Sequence, residues 1–402
     1  MKAPRNTVHL RQVNYQEILR ALYFEGPVSR LDLSGLTGLS PSTVTNMTSE
    51  MFEDGVLIEM GTEESLGGRP RTIIDINPAY GYLVGVDLGE TLVQLELFDL
   101  KRKKIATARQ PVSTADNSPE VYVRIISQNI NKLIGDSGVR REEILGVGIG
   151  VPGVTEHNGQ VNVATPIWNW QPIPLLEMLE SEIEIPVYVD NGAKAMALAE
   201  SWFGAGRGVQ DMVVVLIGTG IGAGVITKGH LYRGSTNSAG EWGHTKIVLN
   251  GRACRCGSQG CLEAYAGAPG ILETYGDLTR ISPGLDVQDP LVNLREIVRA
   301  YRLKDPLARQ TLDSTAQMLG VGIANLVNLF NPEMIVIGGW AGLMIGEVIL
   351  EEIKNYVRKY SLPLSASKLQ IGLSQFGEDA ICTGAACLVL EEFLSLNEKF
   401  IR

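Results

Sequence analysis

From Tyr82 onward, short runs of branched apolar residues alternate with helical patterns, and this alternation limits the fold more than any other feature of the chain. The runs LVGVDLGET, VQLELFDL, ILGVGIGVPG, VYVDNG, MVVVLIGTGIGAGVI and MIVIGGW read as buried strands, so an α/β architecture is expected. Two clusters, roughly 82–190 and 191–385, each open with a strand that runs into a glycine turn. That repetition predicts two related lobes with a cleft between them, where ligands usually sit. The expected division is residues 1–78, a first lobe over 79–190 completed by a C-terminal helix at 385–402, and a second lobe over 191–384.

The turns Asp87-Leu-Gly-Glu-Thr91 and Gly218-Thr-Gly-Ile-Gly-Ala-Gly224 both follow apolar strands and resemble loops that present backbone N–H groups to phosphate. Glycine turns are common for steric reasons alone, so each is weak evidence by itself. Together and in this order they are more specific.

His244, Cys254, Cys256 and Cys261 place one imidazole and three thiols within eighteen residues, in GHTKIVLNGRACRCGSQGCLE. Four such ligands on one loop match a closed tetrahedral zinc site, and with every position filled by protein the zinc would be structural. The other reading is three buried thiols beside an unrelated histidine. Arg252, Arg255, Gly257 and Gly260 do not look like core and favour the metal. The remaining cysteines, Cys382 and Cys387, lie in an apolar stretch far away, so five cysteines do not make a disulfide framework.

The first eighty residues form a separate unit. A helical pattern through Ile18, Leu19, Leu22 and Tyr23 stops at Gly26-Pro27 and predicts one short helix. Ser29, with Asp32 three positions on, opens a second helix that ends at Gly38; Ser40-Pro41 opens a third. In the third, Val44, Met47 and Met51 should face inward and Ser42, Thr43, Thr45, Asn46 and Ser49 outward. A short, polar, nearly uncharged face suits base edges in a major groove. Val56–Met60 and Thr72–Ile76 then read as a hairpin whose tip carries Arg69 and Arg71, placed to enter a minor groove or hold phosphates. This is the pattern of a winged helix-turn-helix, and the candidate DNA contacts are Ser42, Thr43, Thr45, Asn46, Arg69 and Arg71; a three-helix interaction module with a solvated loop is the plainer alternative.

Charge limits the extent of any nucleic-acid contact. The chain carries a net −10, and residues 1–80 have seven Lys/Arg against ten Asp/Glu, so DNA binding must come from a local surface. No stretch approaches the roughly 18 uninterrupted apolar residues of a membrane span, and the N-terminus lacks a signal-peptide core. A cytoplasmic protein without a membrane partner is expected.

Glu241-x-Gly-His244 followed by Gly251-x-x-Cys-x-Cys-Gly-x-x-Gly-Cys-x-Glu263 strongly resembles the signature of the ROK family of sugar kinases and sugar-responsive repressors. DLGET, GVGIGVPG, LIGTGIGAG and NPEMIVIGG extend the resemblance over 82–390. It implies a two-lobed actin-like, sugar-kinase-like (ribonuclease H-like) core, and the N-terminal unit is what the repressor branch adds. It further implies that Glu241, His244, Glu263 and Asn191, with Gly153, hold sugar hydroxyls, and that His244 bridges metal and sugar. The partners implied are operator DNA, a neutral monosaccharide and a second copy of the chain; pairing of dimers into tetramers is left open.

Two departures from the kinases matter. Where the kinases read roughly Glu-Asn-Asp-Ala-Asn, with the Asp as general base, this chain reads Asp190-Asn191-Gly192-Ala193-Lys194. Glycine stands at the base, and Asp190 is displaced by about 6–7 Å along a strand. Glu90 occupies a position that is usually Gly, and its carboxylate would oppose the charge of ATP. The expectation is therefore sugar binding without phosphoryl transfer and without ATP as a cofactor. Trp168 and Trp170 are read either as a sugar-stacking surface or as lid and core contacts.

Overall fold

The computed structural model describes residues 7–63, 70–90, 92–112, 117–156, 159–164, 168–279 and 290–395. The N-terminal unit has helices Thr7–Glu25, Arg30–Thr37 and Pro41–Glu53, then strands Leu57–Glu63 and Arg71–Ile76 paired antiparallel. Ile18, Leu19 and Leu22 are fully buried as expected, but the first helix is 19 residues long rather than short. Ahead of Ile18, residues 9–12 are exposed and 13–16 only half-buried, so no apolar period marks that part of it. A two-residue strand, Val28–Ser29, adds a third member to the sheet by pairing with Ile73 and Ile74.

Local chemistry sets the helix ends. Ser29 and Asp32 form a reciprocal capping box, with Asp32 N–H to Ser29 Oγ at 3.2 Å and Ser29 N–H to Asp32 Oδ2 at 3.1 Å. These bonds from Ser29 hold the Asp32 carboxyl below its ordinary range. Gly38, at φ 70°, closes that helix in the left-handed region. Ser40 Oγ accepts the Thr43 N–H at 3.2 Å and starts the third helix. Val44, Met47 and Met51 are buried beneath it, while Ser42, Thr45, Asn46 and Ser49 are exposed and Thr43 is half-buried.

The two lobes share one topology. In the first, strand Tyr82–Leu88 pairs antiparallel with Leu92–Asp99, which pairs antiparallel with Lys104–Pro111, and on its other side pairs parallel with Ile144–Val151, which pairs parallel with Val187–Asn191. In the second, Met212–Ile217 is flanked by antiparallel Ile221–Thr227 and His230–Leu231, and by parallel Met334–Gly338 and Gln370–Leu373. Each lobe has its own apolar core.

Two helices join them. Ala380–Leu394 lies on strands Tyr82–Leu88 and Ile144–Val151, and Gly192–Phe203 lies on Met212–Ile217 and Ile221–Thr227; the two helices pack on one another. Small residues make this approach possible. A Cβ at Gly85 or Gly148 would overlap the carbonyls of Cys382 or Ala385, and one at Gly384 would overlap that of Ala195. The Gly192–Phe203 helix is buried from Gly192 through Ser201.

The far end of this helix meets the N-terminal unit. Phe24 packs edge-on to Trp202 at 5.6 Å and stacks on Phe203 at 5.8 Å, and Arg207 Nη2 donates to the Phe24 carbonyl at 3.1 Å. Tyr23 donates its hydroxyl to the Leu100 carbonyl at 2.8 Å, and Lys101 pairs with Asp75 at 3.0 Å. If this aromatic contact couples the unit to the core, a Phe24→Ala, Phe203→Ala double-mutant cycle in chemical denaturation yields a coupling of about 1 kcal/mol. Additive effects would show the two surfaces to be energetically independent.

Candidate functional site

The site gathers where the Gly192–Phe203 helix begins. Asn191 ends a strand and caps that helix: its Oδ1 accepts the Ala193 N–H at 2.8 Å and its Nδ2 donates to the Gly153 carbonyl at 2.7 Å. Gly153 sits at φ 85°, which a glycine tolerates and which aims its carbonyl at Asn191. Both residues are thus locked to each other at the cleft. Asn191 keeps one amide N–H and one acceptor lone pair for another partner.

Gly192 carries no carboxylate although it has room for a side chain: a Cβ there would lie at ordinary contact distance, 3.5 Å, from Ile381. Packing does not impose the glycine. Asp190 is fully engaged elsewhere. It is 2% exposed and holds an ion pair with Arg233, lies 3.8 Å from Lys194 Nζ and accepts Asn237 Nδ2 at 3.3 Å. Lys194 donates to the Asn237 carbonyl and to Asn237 Oδ1 at 3.2 Å, and burial pushes its ammonium down to about 8. Asn237 also donates to the Thr155 carbonyl of the first lobe at 2.9 Å. Sequence reasoning missed this cage around Asp190, because Arg233 and Asn237 lie more than forty residues further along the chain.

Glu241 opens a single helical turn, Trp242–His244, which is anchored by the Trp242 indole N–H donating to the Gly322 carbonyl at 3.0 Å. Burial raises the Glu241 carboxyl, His244 and Lys194 pull it down, and Glu263 pushes it up, so these groups share one electrostatic environment. Glu263 is buried at the start of the next helix, and its Oε2 accepts the Ile221 N–H at 2.9 Å. Arg255 donates to both oxygens of Glu263, at 2.8 and 3.2 Å. Arg252 and Arg255, read from sequence as not belonging to a core, are half-buried and held in ion pairs, whereas Gly260, read the same way, is buried.

The ligand atoms of His244, Cys254, Cys256 and Cys261 all lie within 4.8 Å of one another. Cys256 and Cys261 sulfurs are 3.8 Å apart, and His244 Nδ1 is 3.7 Å from Cys254 Sγ. A tetrahedral ion with sulfur at about 2.3 Å and nitrogen at about 2.0–2.1 Å places its ligands roughly 3.5–3.8 Å apart; these two pairs already have that spacing, and the four together could hold a metal ion once the wider pairs draw in. His244 turns Nδ1 to the thiols, which leaves Nε2 for a further partner. Lys246 Nζ, 2.8 Å from Cys261 Sγ, offsets thiolate charge.

Neither tryptophan offers a face to a ligand. Trp168 and Trp170 stack at 4.4 Å, are 0% and 5% exposed, and donate their indole N–H groups to Tyr122 Oη and the Asn117 carbonyl. They are core. Of the residues expected at DNA, Ser42, Thr45 and Asn46 share the exposed face of the third helix with half-buried Thr43. Arg71 is exposed and 4.0 Å from Asp32, and Arg69 lies outside the described residues. No helix among the described residues is long and apolar enough to cross a membrane.

Comparison with known proteins fits this arrangement. The ROK family profile matches residues 83–392. A xylose repressor from Caldicellulosiruptor bescii is 32% identical over 401 residues, covering 98% of this chain and 99% of the relative. The crystal structure of a ROK family transcriptional regulator, a homologue of the Escherichia coli Mlc protein, superposes with a TM-score of 0.81 at 26% identity, covering 96% of this chain and 98% of that one. A ROK family glucokinase from Streptomyces griseus, in complex with glucose and AMPPNP, superposes with a TM-score of 0.65 at 29% identity, covering all of its own length but 77% of this chain. The chain belongs to the ROK family.

Proposed function

We propose that the protein is a sugar-responsive, DNA-binding transcriptional regulator, a repressor of carbohydrate-utilisation genes released by a neutral monosaccharide, with no kinase activity. One observation carries this reading: repressor relatives match the chain from end to end, whereas the glucokinase matches 77% of it, about the extent of the two-lobed core. The added part is the three-helix unit with its hairpin, read as a winged helix-turn-helix.

The sugar would lie between the lobes against Asn191, Gly153, Glu241, His244 and Glu263. Two carboxylates favour a neutral ligand over an anionic one, and carboxylates accept hydroxyl protons well. Zinc is the ion proposed for His244, Cys254, Cys256 and Cys261. Four protein ligands leave it structural, fixing the loop that presents Glu241, His244 and Glu263. Absence of a carboxylate at Gly192, the engagement of Asp190 by Arg233, Lys194 and Asn237, and Glu90 in the first glycine turn all argue against phosphoryl transfer.

The signal path follows the Gly192–Phe203 helix. Its N-terminus touches the sugar site and its C-terminus, about 18 Å away at 1.5 Å per residue, packs on Phe24 of the DNA-binding unit. Lobe closure on sugar would shift this helix and reset the spacing of the two reading units of a homodimer, which must match half-sites about 34–36 Å apart. Within each unit, the hydroxyls of Ser42, Thr43 and Thr45 already bond Ser40 or the Pro41 carbonyl, so Asn46 is the strongest base-reading candidate.

Calorimetry with neutral pentoses and hexoses, with ADP assayed in the same samples, tests the central reading: saturable sugar binding without ADP release is expected. Sugar-dependent ADP production would make the chain a kinase. Asn46→Ala is expected to weaken operator binding by about 1–3 kcal/mol at one base pair per half-site, and Arg71→Ala to weaken all DNA sequences alike; mobility shifts on matched and mismatched operators read both. Elemental analysis should find one zinc per chain, and Cys256→Ala should lose it.

A further inference from the structure

Arg255 leaves the metal loop and enters the cleft. Its Nε and Nη2 grip the two oxygens of Glu263 at 2.8 and 3.2 Å, a two-point contact that fixes both the distance and the plane of the carboxylate. On its other side Nη1 lies 3.5 Å from Glu90 Oε1, in the glycine turn of the opposite lobe. Nη1 is buried and has no hydrogen-bond partner among the described residues. The guanidinium also rests on the second glycine turn, where a Cβ at Gly220 would overlap it.

Glu90 is held firmly from behind. Its carbonyl accepts the Tyr122 hydroxyl at 3.1 Å, and Tyr122 accepts the Trp168 indole N–H at 2.8 Å within the buried aromatic stack. One cation therefore stands between two glycine turns, bonded to a carboxylate of one lobe and facing a carboxylate of the other. Glu263 has about four acceptor positions; Arg255 fills two, the Ile221 N–H a third and the Cys254 thiol, at 3.8 Å, the fourth, which a thiol given up to a metal ion would free for a ligand hydroxyl.

We propose that Arg255 is a positioning residue that holds Glu263 ready for the sugar and, through Glu90, supplies the contact that draws the first lobe over it, so that closing the cleft needs no second, anionic ligand. A closure of less than an ångström brings Nη1 and Glu90 to the roughly 2.7–2.9 Å of a charge-assisted hydrogen bond. The contact lies between two side chains of the chain itself, so no bound anion is needed to make it. This inference rests on the sugar-binding reading above.

The test is a double-mutant cycle on sugar affinity, by calorimetry on the full-length protein with d-xylose, d-glucose and N-acetylglucosamine. Glu90→Gln is expected to weaken binding by about five- to tenfold, less than a fully buried charged hydrogen bond would give. Arg255→Gln should weaken it further, and the double variant should match Arg255→Gln within about twofold, because Glu90 acts only through Arg255. Glu90→Gln binding sugar like the wild type, or two effects that multiply, would overturn the proposal. Small-angle scattering reads closure without sugar: Glu90→Arg, which sets two cations against each other, should enlarge the radius of gyration, and an unchanged radius overturns the proposal. If the wild type binds none of these sugars while Glu90→Arg still opens the cleft, the sugar reading fails and the bridge stands.

Discussion

Everything in this molecule depends on how closely one pair of helices can approach two sheets. The Ala380–Leu394 helix lies on the first lobe with its backbone against Gly85 and Gly148, and the Gly192–Phe203 helix lies on the second with Ala193 and Ala197 against Gly222 and Gly224. Gly384 lets the two helices touch at Ala195. A methyl group at any of Gly85, Gly148 or Gly384 would run into a carbonyl oxygen, so the seam has no slack for larger side chains. Interfaces packed this tightly shift between discrete arrangements rather than deforming smoothly, which suits a protein that must report ligand binding at a distance.

The seam also sets the geography. Because the Gly192–Phe203 helix starts at Asn191 and ends at Trp202 and Phe203, the ligand cleft and the surface that carries the N-terminal unit are two ends of one rigid element. The proposed sensor uses the kinase-like cleft with its chemistry removed. On that proposal Gly192 and the caged Asp190 leave it without a base, while Asn191 with Gly153, and Glu241 with His244 and Glu263, would hold the sugar. Binding free energy that an enzyme would spend on a transition state is then free to bias an equilibrium between two lobe positions.

Much of this was legible in the sequence because the signals are local. Strand runs ending in glycine turns announced two lobes, the Ser29–Asp32 box and Ser40-Pro41 marked helix starts, and four candidate ligands within eighteen residues announced a group that could hold a metal ion. What stayed hidden depends on contacts between distant segments or on unpatterned sequence. The polar half of the Thr7–Glu25 helix has no apolar period, and two-residue Val28–Ser29 is too short to have one. The fate of Trp168 and Trp170 was decided by Tyr122, nearly fifty residues earlier, and the cage on Asp190 by Arg233 and Asn237. Arg255 was read only as a residue that does not look like core, because arginine is seldom found there, and its partners Glu90 and Glu263 come from opposite lobes.

The central claim is that occupancy of the cleft changes the grip of the N-terminal unit on DNA. Fluorescence anisotropy on an operator fragment selected from random DNA by the protein itself, titrated with and without the sugar that binds in calorimetry, tests this directly. The account predicts that saturating sugar weakens operator affinity by about tenfold or more, a coupling of at least roughly 1.4 kcal/mol, and by linkage that operator DNA weakens sugar binding by the same factor. Operator affinity unmoved by saturating sugar would contradict it.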